Sequence, residues 1–159
     1  MILKNVLEGR SMHFVTTNPS AAVDEALNLI VDKNLCCLPV VDNGGKPVGI
    51  ISGLDILAAI HRSKGDFASL KVKDVMKAIA VVGKMDDDAT PIMNIMEKQN
   101  IHHIPVVSNG KMVGFISLEN IYRTTMKQLE VEVHYLTGML DKRDKSGDYD
   151  SFSKLDGSE

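Results

Sequence analysis

Two serines stand three residues before a polar acceptor at matching places in the chain: Ser52 before Asp55, and Ser117 before Asn120. Each pair follows an apolar run typical of a strand and opens a segment typical of a helix. Helix amides and a serine hydroxyl can bind a phosphate, and a carboxylate can accept hydrogen bonds from two sugar hydroxyls. A capping box, which satisfies unpaired backbone amides, explains Ser52 and Asp55 equally well. The sequence permits both interpretations.

The second pair is the weaker binding candidate. The amide of Asn120 carries no charge and has one acceptor oxygen, so it should hold two hydroxyls less well than Asp55 by roughly 1 to 2 kcal/mol. The sequence therefore predicts two unequal sites, with the tighter one at Asp55.

Adjacent histidines, His102 and His103, occupy the place that adjacent cysteines, Cys36 and Cys37, hold earlier in the chain. Packing at the start of a strand explains the histidines without a ligand. Successive strand residues point to opposite faces, and no third ligand of suitable spacing is evident, so a metal site is disfavoured. Neighbouring cysteines are poorly placed to join distant segments, which favours a reducing, cytoplasmic setting.

No set of residues points to catalysis. The sequence shows no activated nucleophile, acid and base pair, Walker loop or closed metal set, so we expect no enzyme and no catalytic cofactor. The acidic run of residues 86 to 88 precedes a helix start, where acids are favoured, and we expect a solvated loop rather than a cation site.

These pairs belong to a longer internal repeat, because residues 34 to 57 reappear as residues 100 to 121. Each copy is too short to bury much core alone, so the two should pack on each other. Each copy is predicted to be a β-α-β-β-α unit. The expected strands cover residues 38 to 41, 48 to 51, about 80 to 82, 104 to 107 and 113 to 116; helices follow residues 18 to 20 and begin near residues 52, 90 and 117. Residues 72 to 76 resemble residues 3 to 7, so we expect each unit to have its own lead-in.

A heptad pattern follows the second copy. Its apolar positions are Tyr122, Met126, Leu129, Val133, Leu136 and Leu140. This helix could fold back on its own domain, pair two chains, or pass a signal to a partner protein. The expected organisation is residues 1–66 for unit 1, 67–124 for unit 2, 125–143 for a helical extension and 144–159 for a disordered tail.

The composition is that of a globular protein. The chain has 159 residues, 44% of them hydrophobic and 25% charged, with a formal net charge of −3. That charge gives no electrostatic case for nucleic acid or an acidic membrane surface. No uninterrupted apolar stretch approaches about 18 residues, so we expect neither secretion nor a membrane span, and a cytoplasmic location.

The tandem units, the apolar-Pro-Val-Val strands at residues 38 to 41 and 104 to 107, and the turn from Gly49 to Asp55 resemble the CBS domain pair, or Bateman module. The resemblance covers about residues 1 to 124. It implies an α/β (α+β) fold of tandem β-α-β-β-α units packed by their sheets with pseudo-twofold symmetry, followed here by a C-terminal helix. It also implies two clefts that commonly take adenosine-containing ligands, and a regulatory role.

The resemblance assigns residues to each cleft. Ser52 and Asp55 match the family's phosphate and ribose contacts, and His102 would reach a phosphate beside them. The primary cleft is thus expected to comprise Ser52, Asp55, His102, Ile50, Leu54, Val81 and Ile101. The secondary cleft is expected to comprise Ser117, Asn120, His103, Phe115, Arg10, His13, Val15 and Leu35, with Glu119 there repelling a phosphate.

The resemblance predicts a ligand-sensing module for AMP, ADP or ATP, ahead of S-adenosylmethionine, NAD or a cyclic dinucleotide. A homodimer is expected, and a partner protein could dock on the helix of residues 122 to 140. The alternative is a ligand-free dimerisation or scaffold module that keeps the fold.

Overall fold

The computed structural model describes residues 1–8 and 14–145, with side chains as far as residue 140. The first half contains α1 (Leu3–Glu8), α2 (Val23–Asp32), β1 (Cys37–Val41), β2 (Pro47–Ser52) and α3 (Gly53–Arg62). It is followed by α4 (Val72–Val75), β3 (Lys77–Ala78), β4 (Gly83–Lys84), α5 (Ala89–Lys98), β5 (His103–Ser108), β6 (Lys111–Ser117) and α6 (Leu118–Lys145). Arg10, His13 and the end of the expected tail lie outside the described residues.

Two three-stranded sheets carry the repeat, in the orders β1-β2-β3 and β4-β5-β6. Both contain an antiparallel hairpin, in which Leu38 faces Ile51 and Ile104 faces Ile116. In the second hairpin the turn residue Gly110 has a φ of 75°, a conformation that glycine adopts without steric cost. The sheets, helices and C-terminal α6 confirm the predicted mixed α and β fold.

The predicted strand at residues 80 to 82 is wrong. The strand that pairs in parallel with β5 is the two-residue β4, and the matching strand of the first copy is reduced to a single bridge between Thr17 and Val40. Ala80 and Val81 instead line a cavity. Their apolar character, which suggested a strand, therefore serves the wall of that cavity.

Each sheet packs against helices to form its own core. The first core consists of Val23, Ala26, Ile30, Leu38, Val40, Ile51, Ile56 and Val72. The second consists of Leu3, Val6, Leu7, Ala89, Met96, Ile104, Val106, Ile116 and Ile121. The fully buried residues of β1, β2, β5 and β6 are those that the repeat places at matching positions.

The two lead-in helices are exchanged between the copies. α1 buries Leu3, Val6 and Leu7 in the core of the second copy, whereas α4 buries Val72 in the core of the first. The amide of Leu3 also donates to the carbonyl of Asp87, 3.0 Å away. The expectation that each unit keeps its own lead-in is therefore wrong, since each lead-in completes the other unit.

Two matching glycines make room for these lead-ins. A Cβ atom on Gly49 would lie 2.5 Å from Met76 Sδ and 3.0 Å from the carbonyl oxygen of Lys77. One on Gly114 would lie 2.7 Å from Leu7 Cδ1. The absence of a side chain at Gly49 thus lets the segment after α4 pack closely on β2, and its absence at Gly114 lets α1 pack closely on β6.

The chain divides into two units, Met1–Tyr122 and Arg123–Glu159, and α6 begins in the first. Within the first unit, the Tyr122 hydroxyl donates to the carboxylate of Glu97. In the second unit α6 exposes the apolar side chains of Met126, Leu129 and Leu136. Among the described residues, no helix combines the length and apolarity that crossing a bilayer requires.

Candidate functional site

A cavity of about 600 Å³ lies between the two copies, within the first unit. It is bounded by the end of β2, the start of α3, the segment from β3 to β4, and the segment from α5 to β5. All seven residues predicted for the primary cleft line it: Ile50, Ser52, Leu54, Asp55, Val81, Ile101 and His102. The structure adds Cys37, Lys77, Ala78, Ile79, Ala80, Gln99, Asn100 and His103.

Ser52 and Asp55 form the capping box that was one of the two interpretations of this residue pair. Asp55 N donates to Ser52 Oγ at 3.1 Å, and Ser52 N donates to Asp55 Oδ2 at 3.0 Å. The Ser52 hydroxyl also donates to Asp55 Oδ2, at 2.6 Å. These contacts fix the carboxylate at the N-terminus of α3, on the wall of the cavity.

Lys77 is the charged residue that the sequence interpretation missed. Its Nζ lies 2.9 Å from Asp55 Oδ1, and its side chain is 77% exposed. Lys77 reaches this position because β3 pairs with β2, which places Lys77 opposite Ile50. Two residues are too few for a periodic strand signal, so only the similarity of the lead-ins could have drawn attention to this segment.

The charge state of Asp55 follows from these contacts. Burial would raise the pKa of its carboxyl, but hydrogen bonds from Ser52 and Lys77, together with the charge of Lys77, outweigh burial and lower that pKa. Asp55 is therefore an anion at neutral pH. One of its oxygens faces an exposed ammonium that a ligand could displace.

The two histidines differ in their surroundings. His102 is exposed, whereas the ring of His103 is half-buried and stacks on Phe115 with centroids 5.3 Å apart. Burial and the neighbouring His102 lower the pKa of His103, against an opposing effect of Glu119. His103 is thus neutral at pH 7. Assigned by resemblance to the secondary cleft, it also lines the Asp55 cavity.

The residues expected at the secondary cleft are only partly described. Ser117 Oγ accepts a hydrogen bond from Asn120 N at 3.1 Å, as Ser52 Oγ does from Asp55 N. Val15 and Leu35 pack against the first core. Arg10 and His13 lie outside the described residues, so their assignment to this cleft stays a prediction.

The acidic run before α5 serves local structure. Asp88 Oδ1 accepts from Thr90 N at 3.0 Å and caps the helix, while Asp87 Oδ2 accepts from Lys84 N at 2.8 Å. These bonds are those expected of acids at a helix start.

The fold and the cavity define a protein built from paired CBS domains. The chain matches the CBS domain family over residues 10–62 and 72–127, and it belongs to that family. A homoserine O-acetyltransferase of Methanococcus vannielii is 32% identical over 124 residues, which cover 77% of this chain and 24% of that protein. The chain therefore spans about a quarter of that relative's length.

Solved structures of CBS domain pairs share the architecture. The pair of protein MJ0100, in complex with 5′-methylthioadenosine and S-adenosyl-L-methionine, is 28% identical, with a TM-score of 0.68 over 80% of this chain and 98% of that one. CBSX2 of Arabidopsis thaliana, in complex with AMP, is 26% identical, with a TM-score of 0.62 over 72% and 88% of the two chains.

Proposed function

We propose that this chain is a regulatory module that senses an adenosine nucleotide, AMP, ADP or ATP, in the cavity between its two CBS units. The observation that carries the proposal is the convergence of Ser52, Asp55 and His102 on one cavity of about 600 Å³. These residues come from different copies of the repeat. Their chemistry suits a molecule that has sugar hydroxyls, a phosphate and an apolar ring.

Each part of the nucleotide has a counterpart in the cavity. Asp55 accepts hydrogen bonds from the ribose hydroxyls once the exposed Lys77 has moved from Oδ1. The phosphate binds to the amides in the first turn of the ten-residue helix α3 and to the Ser52 hydroxyl. Lys77 and His102 are further donors. The side chains of Ile50, Val81 and Ile101 enclose the adenine ring.

The comparisons support this ligand class. The ligands named for the related structures, 5′-methylthioadenosine, S-adenosyl-L-methionine and AMP, share an adenosine group. Of these, AMP has the phosphate that the N-terminus of α3 suits. S-adenosylmethionine, NAD and cyclic dinucleotides remain in the panel of ligands to be tested.

Regulation follows from the position of the ligand. A nucleotide held by α3 of one copy and by His102 of the other favours one arrangement of the two copies over others. It shifts their equilibrium only as far as its affinities for those arrangements differ. The module itself carries no catalytic role in this proposal, and the chain covers only 24% of the acetyltransferase relative.

Calorimetric titration with AMP tests the proposed ribose contact. Asp55→Asn should weaken AMP binding by about 5- to 30-fold, which corresponds to losing roughly 1 to 2 kcal/mol of charge-assisted hydrogen bonding. Asn120→Asp is the matched control. It makes the reverse exchange, amide to carboxylate, beside Ser117, and it should not weaken AMP binding at Asp55. The parent protein should bind deoxy-AMP less tightly than it binds AMP. The Asp55→Asn variant should bind deoxy-AMP and AMP with similar affinity. Equal AMP affinity for the parent and Asp55→Asn would contradict the proposal.

A ligand-free scaffold is the second candidate. It is favoured by the observation that both oxygens of the Asp55 carboxylate already have partners, Ser52 and Lys77. Thermal unfolding with the full ligand panel separates the two functions. A ligand present at about 100 times its dissociation constant should stabilise the chain by roughly 2.7 kcal/mol, whereas no response to any ligand would favour the scaffold.

We also propose a homodimer that uses the apolar stripe of α6, for which a partner protein is the alternative occupant. The stripe includes Met126, Leu129 and Leu136, which are exposed. If a second copy binds to this stripe, light scattering should show a dimer for the parent and a monomer for Leu129→Glu. An unchanged mass in the variant would show that the stripe does not form the dimer.

A further inference from the structure

Three potential metal ligands from the two copies lie together, and two of them, Cys37 and His103, also line the cavity. The Sγ atoms of Cys36 and Cys37 and a ring nitrogen of His103 all lie within 4.8 Å of one another. Cys36 Sγ is 3.5 Å from His103 Nε2. Ligand atoms around a tetrahedral zinc ion, with bonds of about 2.0 to 2.3 Å, are roughly 3.3 to 3.8 Å apart. Small rotations of the three side chains would therefore bring their ligand atoms to the separations found around a zinc ion.

The backbone explains how adjacent cysteines can share one ion. Cys36 lies in a bend before β1, and Cys37 is the first residue of that strand, so the alternation of a regular strand does not separate their thiols. The amide of Gly53 donates to the Cys36 carbonyl at 3.2 Å. In the second copy, the amide of Leu118 donates to the His102 carbonyl at 2.9 Å, which anchors the segment that carries His103.

Thiolate sulfur and imidazole nitrogen are ligand types that zinc prefers in proteins. The lowered pKa of His103 leaves its imidazole neutral, with a lone pair available to a metal. Burial and the adjacent Cys36 raise the pKa of the Cys37 thiol to about 12, so this thiol gives up its proton only when the metal ion replaces that proton. The charged or titratable groups acting on these side chains are Asp55, His102 and Glu119. The two thiols must lose their protons when they ligate the ion, so binding should be linked to pH.

We propose that Cys36, Cys37 and His103 form a zinc site that joins the two copies of the repeat. Two Zn–S bonds form as two thiol protons are released, one Zn–N bond forms to the neutral imidazole, and water supplies the fourth ligand. No change of oxidation state is involved. The sequence interpretation disfavoured a metal because successive strand residues point to opposite faces and no third ligand of suitable spacing was evident. Cys36 lies 67 residues before His103 in the chain, and the two cysteines reach His103 only through the fold.

The proposal does not rest on nucleotide binding, although Cys37 and His103 also line the cavity, and it is tested by metal titration of the full chain without nucleotide. The reduced protein, in a phosphine reductant that does not compete strongly for zinc, is titrated with Zn²⁺ against a chromogenic chelator. We expect one ion per chain, with affinity that increases as the pH is raised. Co²⁺ should give the ultraviolet charge-transfer absorption of thiolate ligands, which identifies cysteine coordination directly.

Cys36→Ser and His103→Gln are the decisive variants, because Cys36 is exposed and its replacement should leave the fold intact. Each should weaken Zn²⁺ binding at least tenfold. His61→Gln, which removes an exposed histidine of α3, is the matched control and should bind as the parent does. Circular dichroism checks that the variants are folded. Unchanged Zn²⁺ affinity in Cys36→Ser and His103→Gln, or a Co²⁺ spectrum without thiolate absorption, would overturn the proposal.

Discussion

Asp55 is held by its neighbours before any ligand arrives. The Ser52 amide and hydroxyl both donate to its Oδ2 atom, and Lys77 contacts its Oδ1 atom. Such bonds orient the carboxylate, so little side-chain freedom remains to be lost on binding. The same bonds stabilise α3. The capping and binding interpretations of this residue pair are therefore compatible.

The two serine caps should differ in strength. Ser52→Ala removes the acceptor for Asp55 N and the donor to a carboxylate, and should lower the free energy of unfolding by about 1 to 2 kcal/mol. Ser117→Ala removes the acceptor for Asn120 N, beside an uncharged amide, and should cost less. Urea unfolding at pH 7 measures both. Equal losses would show that the carboxylate adds nothing to the cap.

The seven residues expected at the primary cleft line the cavity, but Lys77, the cation beside Asp55, was not among them. Ser52 and Asp55 were found because a helix start has a local signature. Lys77 and the approach of Cys36 to His103 were missed, because both depend on which segments the fold brings together. No spacing along the chain encodes such a contact.

At the scale of elements, the hairpins and long helices follow from local patterns, whereas the shortest strands do not. β5 and β6 have six and seven residues, enough for alternation and a turn signal. β3 and β4 have two residues each and exist only because a neighbouring strand offers backbone partners. This explains why the strand expected at residues 80 to 82 was misplaced.

The glycine of β2 should tolerate a methyl group less well than its counterpart in β6. In Gly49→Ala the new Cβ would meet both Met76 Sδ and the backbone carbonyl of Lys77, and we expect a loss of about 1 to 3 kcal/mol in stability. In Gly114→Ala it would meet the end of the flexible Leu7 side chain, which can adjust at lower cost. Gly53→Ala, whose nearest contact is Ile30 at 4.0 Å, is the control. Thermal unfolding that ranks Gly114→Ala as the most damaging would contradict this explanation.

At the scale of the first unit, the exchange of lead-in helices makes the two copies interdependent. α1 supplies three buried side chains to the second core, although it precedes the first copy in the chain. The sequence could not reveal this, because an amphipathic lead-in has the same pattern whichever core receives it. The connection also offers a route by which a ligand between the copies could affect both cores.

Substitutions in the two lead-ins should therefore disturb the opposite copy. Leu3→Ala truncates a fully buried side chain of the second core and should cost about 2 to 5 kcal/mol. In hydrogen exchange, the amides of β5 and β6 should lose more protection than those of β1 and β2, because local opening follows the weakened core. Val72→Ala, in the first core, is the matched reverse case and should affect β1 and β2 more. If Leu3→Ala instead exposed β1 and β2 first, α1 would belong to the copy that it precedes, and the exchange would be refuted.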